Sequence, residues 1–222
     1  MSGKFQALSQ VHSLGKDTVL ANEVAGISAE FPDYDAQAAR CRYVFVTKTK
    51  DYGASWRVMR VSSLIDQILI KVLRIRSIEE NGGVQRISDS IESEYVGIAN
   101  YSVMTLIQLN SDSCCAPESG RANLSDPDVT GEPGSEELWQ PLFDSMLKEA
   151  KTLMEKKNHD YGDAWKEMWI SSLTDLILCK ILRIRQIMKN DGKTLVSEGI
   201  EANLYDMINY ALFALIRLST KI

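Results

Sequence analysis

Charged side chains recur at fixed places in two strongly apolar segments, "SSLIDQILIKVLRIR" and "SSLTDLILCKILRIR". At 100° per residue, the Asp, the Lys and the first Arg share one sector of a helix that is otherwise apolar on nearly every side, which predicts burial. Charges on a buried helix are costly unless they are paired or bind an ion. The sector therefore predicts either a cleft, in which Lys and Arg bind phosphate and Asp binds a metal, or an ion-pair network between the segments. Its residues are Asp66, Lys71 and Arg74 in the first segment and Asp175, Lys180 and Arg183 in the second.

A second group of candidate residues lies downstream, in "SEGIEANLYDMINYALFALIRL". Three carboxylates, a Tyr and an Asn project onto one stripe of the predicted helix, opposite an apolar stripe. Neighbouring carboxylates repel each other unless a cation lies between them, and Mg²⁺ prefers carboxylate and phosphate oxygens. The stripe indicates a magnesium site, contact with the basic residues described above, or a solvated acidic face. It comprises Glu198, Glu201, Tyr205, Asp206 and Asn209.

Both apolar segments follow the tripeptide "DYG" and a nearby Trp. Gly favours a turn, and Asp51 and Asp160 are placed to cap the helix that follows. The aromatic side chains either stack on a nucleotide base or lock the turn onto a helical core. They are Tyr52 and Trp56 in the first copy and Tyr161 and Trp165 in the second.

The two segments belong to an internal repeat with an offset of 109 residues. Between 48–109 and 157–218, 28 of 62 positions are identical without a gap, which indicates a tandem duplication. The duplication retains the charged positions of the apolar segments and also matches Lys48 with Lys157.

Each repeat is predicted to form three helices, and no segment shows the strict alternation of a strand. The first helix is predicted at 34–50 and 138–157, the second at 56–78 and 165–188, and the third at 88–109 and 197–218. One repeat is too small to bury its apolar surface well. We therefore expect an all-α fold in which both repeats pack into one globular helical bundle.

The chain has 222 residues, 45% of them hydrophobic and 25% charged, as is typical of a globular protein. Its net charge of −5 argues against direct nucleic-acid binding, which uses a basic surface. The four Cys lack zinc or disulfide spacing, and no signal peptide or membrane span is evident, so we expect a cytoplasmic protein without a membrane partner. We predict an N-terminal extension at 1–30, repeats at 31–110 and 138–222, and a flexible linker rich in Ser, Pro, Gly and Asp at 111–137.

These motifs resemble a known family. "KNHDYGDAW", the "SSLxDxILxKxLRIRxI" helix and "SEGIEANLYDMINYALFAL" look like the nucleotide modification associated domain 1 family, over about 30–110 and 139–222. That family is similar to the all-α, MazG-like nucleoside triphosphate pyrophosphohydrolases. The resemblance implies a MazG-like helical bundle in which the tandem repeats form a pseudo-dimer. Because members of that superfamily often work as dimers, it is also compatible with a homo-oligomer.

The resemblance implies magnesium-dependent cleavage of a nucleoside triphosphate to the monophosphate and pyrophosphate. In that reaction Mg²⁺ neutralises the triphosphate, a carboxylate orients water, and Lys and Arg stabilise the developing charge. The implied catalytic acids are Glu201, Asp206 and Asp175. The implied metal ligands are Glu198, Glu201, Asp206, Asp175, Asp66 and Glu92. The implied substrate-binding residues are Lys180, Arg183, Lys71, Arg74, Asn209, Tyr161 and Trp165.

The chain departs from the superfamily's usual carboxylate pairs, which are E-x-x-E on one helix and E-x-x-D on the next. On the third helix, the first repeat has Glu94 but Gly97, and the second repeat has Asp206 but Asn203. Either the two repeats build one composite site, or at least one copy has lost metal binding. Two alternatives to an enzyme remain open: a nucleotide-binding module with a degenerate metal site, and a structural bundle whose buried charges are ion pairs.

Overall fold

The computed structural model describes residues 31–112, 126, 129, 135–196 and 198–220. Within these ranges the chain is all-helical, as the sequence predicts, with six α-helices and no strand. The helices are α1 Pro32–Tyr52, α2 Val61–Glu80, α3 Ile91–Asp112, α4 Ser135–Tyr161, α5 Ile170–Lys189 and α6 Ile200–Ser219. The predicted N-terminal extension and most of the predicted linker lie outside the described residues.

The "DYG" tripeptides end the first helix of each repeat. The Tyr is the last helical residue, and the Gly that follows has a positive φ, 71° at Gly53 and 62° at Gly162. A residue in this left-handed region closes a helix, and Gly adopts it without steric cost. The prediction that Asp51 and Asp160 cap the next helix is therefore wrong, because both lie in the last turn of the preceding one.

The second helix of each repeat begins later than predicted, because a short 3₁₀ helix precedes it. The 3₁₀ helices span Ser55–Val58 and Ala164–Glu167, and each contains the Trp of its repeat. Trp56 is buried and packs edge-on against Trp139, with ring centroids 5.4 Å apart. The 3₁₀ segment thus fixes the turn to the bundle before α2 or α5 begins.

Equivalent helices of the two repeats pack against one another: α1 contacts α4, α2 contacts α5, and α3 contacts α6. Between α1 and α4, Lys151 Nζ lies 2.8 Å from Asp35 Oδ1. At the equivalent positions with the partners exchanged, Arg42 Nε lies 2.7 Å from Asp144 Oδ1. Such reciprocal contacts are those of an interface with approximate two-fold symmetry.

A second reciprocal set joins α2 to α5. Arg76 Nη1 lies 3.9 Å from Asp175 Oδ1, and Arg185 Nη2 lies 3.9 Å from Asp66 Oδ1. Exposed pairs of this kind each contribute about 0–1 kcal/mol. These pairs therefore add little stability, but they show the same approximate two-fold relation at a second interface.

One contiguous apolar core includes side chains from all six helices. α3 and α6 lie at its centre, where Ile98, Leu106, Leu204 and Ile208 are fully buried. Each repeat contributes one side of this core, so neither repeat closes it alone. No helix within the described ranges combines the length and the apolar character needed to cross a membrane.

The second helices are less buried than the sequence predicts. On α2, Ile70 is 60% exposed and Leu73 is 49% exposed, and on α5 the equivalent of Leu73, Leu182, is 55% exposed. The prediction of burial on nearly every side is therefore wrong for the outer face of α2 and α5. The physical reason is position, because α3 and α6 cover only the inner sides of this helix pair.

A buried Asn on the third helix of each repeat ties that helix to the first helix. Asn100 Nδ2 donates to Cys41 O at 3.1 Å, and Asn209 Nδ2 donates to the equivalent Ala150 O at 3.0 Å. Because the side-chain amide satisfies a helix carbonyl in both copies, this bond is a structural feature of the repeat.

The hydrogen bonding of the side-chain oxygen of this Asn differs between the two copies. Tyr34 Oη donates to Asn209 Oδ1 at 2.7 Å. Among the described residues, the buried Asn100 Oδ1 has no hydrogen-bond partner. The repeat equivalent of Tyr34 is Phe143, which has no hydroxyl group to donate.

We expect Phe143→Tyr to stabilise the fold by about 0.5–1.5 kcal/mol, because the new hydroxyl donates to Asn100 Oδ1. Tyr34→Phe is the matched variant, and it should cost about 1–3 kcal/mol because it leaves Asn209 Oδ1 unsatisfied. Urea unfolding of both variants measures the two free energies. Destabilisation by Phe143→Tyr would contradict the structural equivalence of positions 34 and 143.

Candidate functional site

Each repeat has one cleft between the end of its first helix, its 3₁₀ helix and its third helix. Cleft 1, in the first repeat, has a volume of about 410 Å³, and cleft 2, in the second repeat, has a volume of about 290 Å³. Every residue that lines cleft 2 has its repeat equivalent in the lining of cleft 1. The identical pairs are Lys48 and Lys157, Tyr52 and Tyr161, Gly53 and Gly162, Trp56 and Trp165, Asn100 and Asn209, and Tyr101 and Tyr210.

Each cleft is lined by residues of one repeat alone. The clefts are therefore two versions of one site. Of the two alternatives that the sequence left open, a composite site built by both repeats does not describe the walls of either cleft. The positive φ of the Gly after each first helix turns the chain sharply, so that the helix end and the 3₁₀ helix face the third helix. The same local sequence pattern therefore forms equivalent cleft walls in both repeats.

In cleft 2 a buried carboxylate lies between two lysines. Asp206 is 4% exposed; its Oδ1 accepts from Lys157 Nζ at 2.5 Å and its Oδ2 accepts from Lys180 Nζ at 2.6 Å. Lys157 comes from α4 and Lys180 from α5, so the carboxylate of α6 joins three helices. Asp206 also lies near Tyr210, and burial, followed by the charge of Asp206, raises the pKa of that phenol.

In cleft 1 the position of Asp206 is occupied by Gly97. The equivalent lysine, Lys71, donates from Nζ to Glu94 Oε2 at 3.1 Å. Arg74 donates to the other oxygen of Glu94, and to Asp89 O at 2.8 Å. Lys71 also lies over the ring of Tyr101, with Nζ 5.9 Å from the centroid.

The acid of the third helix has thus shifted by one helical turn between the copies. In the first repeat the carboxylate belongs to Glu94, whose equivalent in the second repeat is Asn203. In the second repeat the carboxylate belongs to Asp206, three residues after Asn203. Asn203, the equivalent of Glu94, instead donates from Nδ2 to Gly199 O at 2.7 Å. Each copy therefore has one acid of an E-x-x-D pair, and each acid is paired with the repeat-equivalent Lys of its own second helix.

The two clefts differ in charge as a result. Within the part of the chain that the structure describes, the walls of cleft 1 contain three cationic side chains, Arg40, Lys48 and Lys71, and no carboxylate. The walls of cleft 2 contain one cation and one carboxylate, Lys157 and Asp206. Cleft 1 is the larger and more positive of the two, although the sequence drew attention to the second repeat.

Asp66 and Asp175 do not lie in either cleft. Asp175 has a side chain that is 64% exposed and pairs with Arg76, and Asp66 is 55% exposed and pairs with Arg185. The prediction that these two residues share a site with the Lys and Arg of their helices is therefore wrong. The helical projection placed them in one broad sector, but the packing of α2 on α5 places the Asp on the outer surface.

The other predicted acids are also dispersed. Glu198 and Glu201 are exposed at the start of α6, and Glu92 is half-buried at the start of α3. In the described ranges, no three His, Cys, Asp or Glu side chains lie close enough together to hold a metal ion. A magnesium site does not fit the donor set, because the buried oxygens of Asp206 already accept from lysines.

The remaining residues that were predicted to bind substrate differ in their contacts and in their exposure. Asn209 is committed to the helix contacts described above, and Arg183 is exposed at the surface of α5. Trp165 stacks on Phe213 with ring centroids 4.2 Å apart, whereas Tyr161 is 76% exposed. The two Trp are packing residues, and the two "DYG" Tyr rings are the ones accessible at the mouths of the clefts.

Sequence reasoning assigned no role to Lys48, Lys157 or Arg40. The match of Lys48 with Lys157 was visible in the repeat, but both precede the "DYG" turn and lie on a different helix from the charged sector. Only the packing of the first helix against the third shows that they face the same cleft as Gly97 and Asp206.

We expect Asp206→Asn to destabilise the fold by about 3–5 kcal/mol, because it leaves the buried Lys180 without its carboxylate. Asp175→Asn is the matched control, and it should cost no more than about 1 kcal/mol because its ion pair is exposed. Chemical denaturation of the two variants gives the comparison. Equal effects would show that burial of the Asp206 pair is not what distinguishes it.

One family model matches a segment of each repeat. The model for nucleotide modification associated domain 1 matches residues 48–109 and 157–218, which run in each repeat from the end of the first helix through the third helix. No curated protein and no solved structure matches the chain. Because the two matches together span more than half of its length, this chain belongs to the nucleotide modification associated domain 1 family.

Proposed function

We propose that this protein is a nucleotide-binding module that takes a nucleoside phosphate into cleft 1 without a catalytic magnesium site. The observation that carries the proposal is the charge of that cleft. Among the described residues, three cations and no carboxylate line it, and its volume of about 410 Å³ falls in the range of small-molecule sites. A phosphate group is the anion that Lys and Arg side chains commonly bind.

The aromatic wall supports a nucleotide rather than a simple anion. Tyr52 lines cleft 1 and is 53% exposed, so its side chain is accessible to a ligand in the cleft. Stacking of a base on an aromatic side chain is worth about 1–3 kcal/mol and tolerates different bases. The family's description, which concerns nucleotide modification, supports the same ligand class.

We propose that this chain is related to the MazG-like pyrophosphohydrolases by descent and not by activity. Each repeat keeps one acid of the E-x-x-D pair, Glu94 or Asp206, and each of these acids is neutralised by lysine or arginine. Within the described ranges, neither cleft offers two free carboxylates for Mg²⁺, which favours binding over hydrolysis. On this view the duplicated protein is a relative of such enzymes that keeps the nucleotide cleft.

The test is calorimetric titration with nucleoside mono-, di- and triphosphates, with Mg²⁺ or with EDTA, while released pyrophosphate is measured. Binding should be the same in Mg²⁺ and in EDTA, with no pyrophosphate released. A magnesium-dependent release of pyrophosphate would instead establish the hydrolase. Absence of binding by every nucleotide at millimolar concentration would leave the charged side chains as scaffold and reject the proposal.

We expect Lys71→Met to weaken nucleotide binding by about 10- to 100-fold, since a hydrogen bond to a charged group contributes about 1.5–3 kcal/mol. Arg74 still pairs with Glu94 in this variant, so the fold keeps a partner for the buried acid. Lys148→Met, which removes an exposed lysine outside both clefts, is the matched control. An equal loss in both variants would point to general charge rather than to cleft 1.

A further inference from the structure

The second repeat contains, within its own chain, an anion bound at the position that corresponds to the floor of cleft 1. The carboxylate of Asp206 is held by Lys157 and Lys180 at 2.5 and 2.6 Å and is almost completely buried. A carboxylate bound by two ammonium groups is chemically close to a bound phosphate oxygen pair. Cleft 2 is therefore an internal template for anion binding in cleft 1.

The same two lysine positions flank the corresponding space in cleft 1. Lys48, Lys71 and Gly97 all line that cleft, and Gly97 has no side chain. Within the described residues Lys48 makes no ion pair, and Lys71 has a single carboxylate partner, Glu94. The first repeat thus has the lysines of the template without its carboxylate.

The side chain of Lys71 reaches the place where the carboxylate would begin. A Cβ atom added at Gly97 would lie 2.9 Å from Lys71 Nζ and 2.5 Å from its Cε. The ammonium group of cleft 1 therefore already lies over Gly97, at the position from which Asp206 projects in cleft 2. A ligand anion that enters cleft 1 meets this ammonium group directly.

We propose that Asp206 is a built-in counter-anion that closes cleft 2, and that the phosphate group of the ligand binds in cleft 1 to the Lys71 ammonium group that lies over Gly97. The inference rests on the proposed nucleotide-binding function, and it specifies the ligand further. The recognised group is a phosphate bridged by Lys48 and Lys71, so a nucleoside without phosphate does not bind. It also fixes the stoichiometry at one nucleotide per chain, although the chain has two clefts.

The first variant of the test is Gly97→Asp, which gives cleft 1 the carboxylate of cleft 2. Lys71 must shift to accommodate it, and it can do so because the three atoms nearest to the added Cβ are all at the flexible end of that side chain. Lys180 binds Asp206 in the second repeat in the corresponding way. Nucleotide binding should fall by at least 100-fold. Gly97→Asn is the matched control of equal size, and it should retain more binding because it adds no charge.

The second variant is the double substitution Asn203→Glu with Asp206→Gly, which gives cleft 2 the acid arrangement of cleft 1. Lys180 keeps a carboxylate partner in this variant, as Lys71 does with Glu94, so the fold retains its buried ion pair. Titration with a nucleoside monophosphate should then show two sites per chain instead of one. The unphosphorylated nucleoside, titrated in parallel, should bind to neither cleft.

The outcomes separate this inference from the proposed function. No nucleotide binding by the wild-type chain would reject both. One site in the wild type that is unchanged in Gly97→Asp would keep the proposed function and overturn the anion position. A double variant that folds, as judged by its circular dichroism and melting temperature, but still binds one nucleotide would overturn the role of Asp206 as the group that closes cleft 2.

Discussion

The arrangement of both repeats depends on satisfying one lysine on the second helix with a carboxylate from the third. Lys180 is buried and Lys71 is half-buried, and a buried ammonium group without a partner would cost several kcal/mol. Each repeat meets this requirement with an acid from a different turn of its third helix. The apolar contacts between the second and third helices can then form around the pair.

The turn of the third helix that carries the acid determines which charged groups line the cleft beside the lysine. When the acid is Asp206, both of its oxygens are used by Lys157 and Lys180, and its carboxylate offsets the charge of Lys157 in the cleft wall. When the acid is Glu94, it lies to the side, next to Arg74, and Gly97 leaves the floor of the cleft without a side chain. One shifted carboxylate thus separates a cleft with an acid in its wall from one whose charged wall residues are all cationic in the described part of the chain.

Duplication also explains why the two clefts are free to differ. The reciprocal ion pairs between α1 and α4 and between α2 and α5 show that the repeats are related by an approximate two-fold arrangement. In a symmetric assembly of two identical chains, a change in one cleft would appear in the other. In a fused tandem pair one repeat can keep ligand contacts while the other becomes part of the scaffold, and the core shared by six helices still needs both.

The sequence by itself determined the duplication, the all-α class, the order of three helices in each repeat and the family. These follow from local information, because the repeat offset, the helical period and the glycine turns are all readable along the chain. Helix starts were less accurate near Trp56 and Trp165, since the 3₁₀ segments are stabilised by tertiary contacts of the Trp rings rather than by a periodic pattern.

Only the tertiary structure decided which charged residues meet. A helical projection gives the angle of Asp66 or Asp175 around its own axis, but it does not show which side the neighbouring helix covers. The packing of α2 on α5 put these acids outside, and the packing of the first helix on the third brought Lys48 to Gly97 and Lys157 to Asp206. Burial and charge pairing depend on distances between helices, and these distances are set by the whole core.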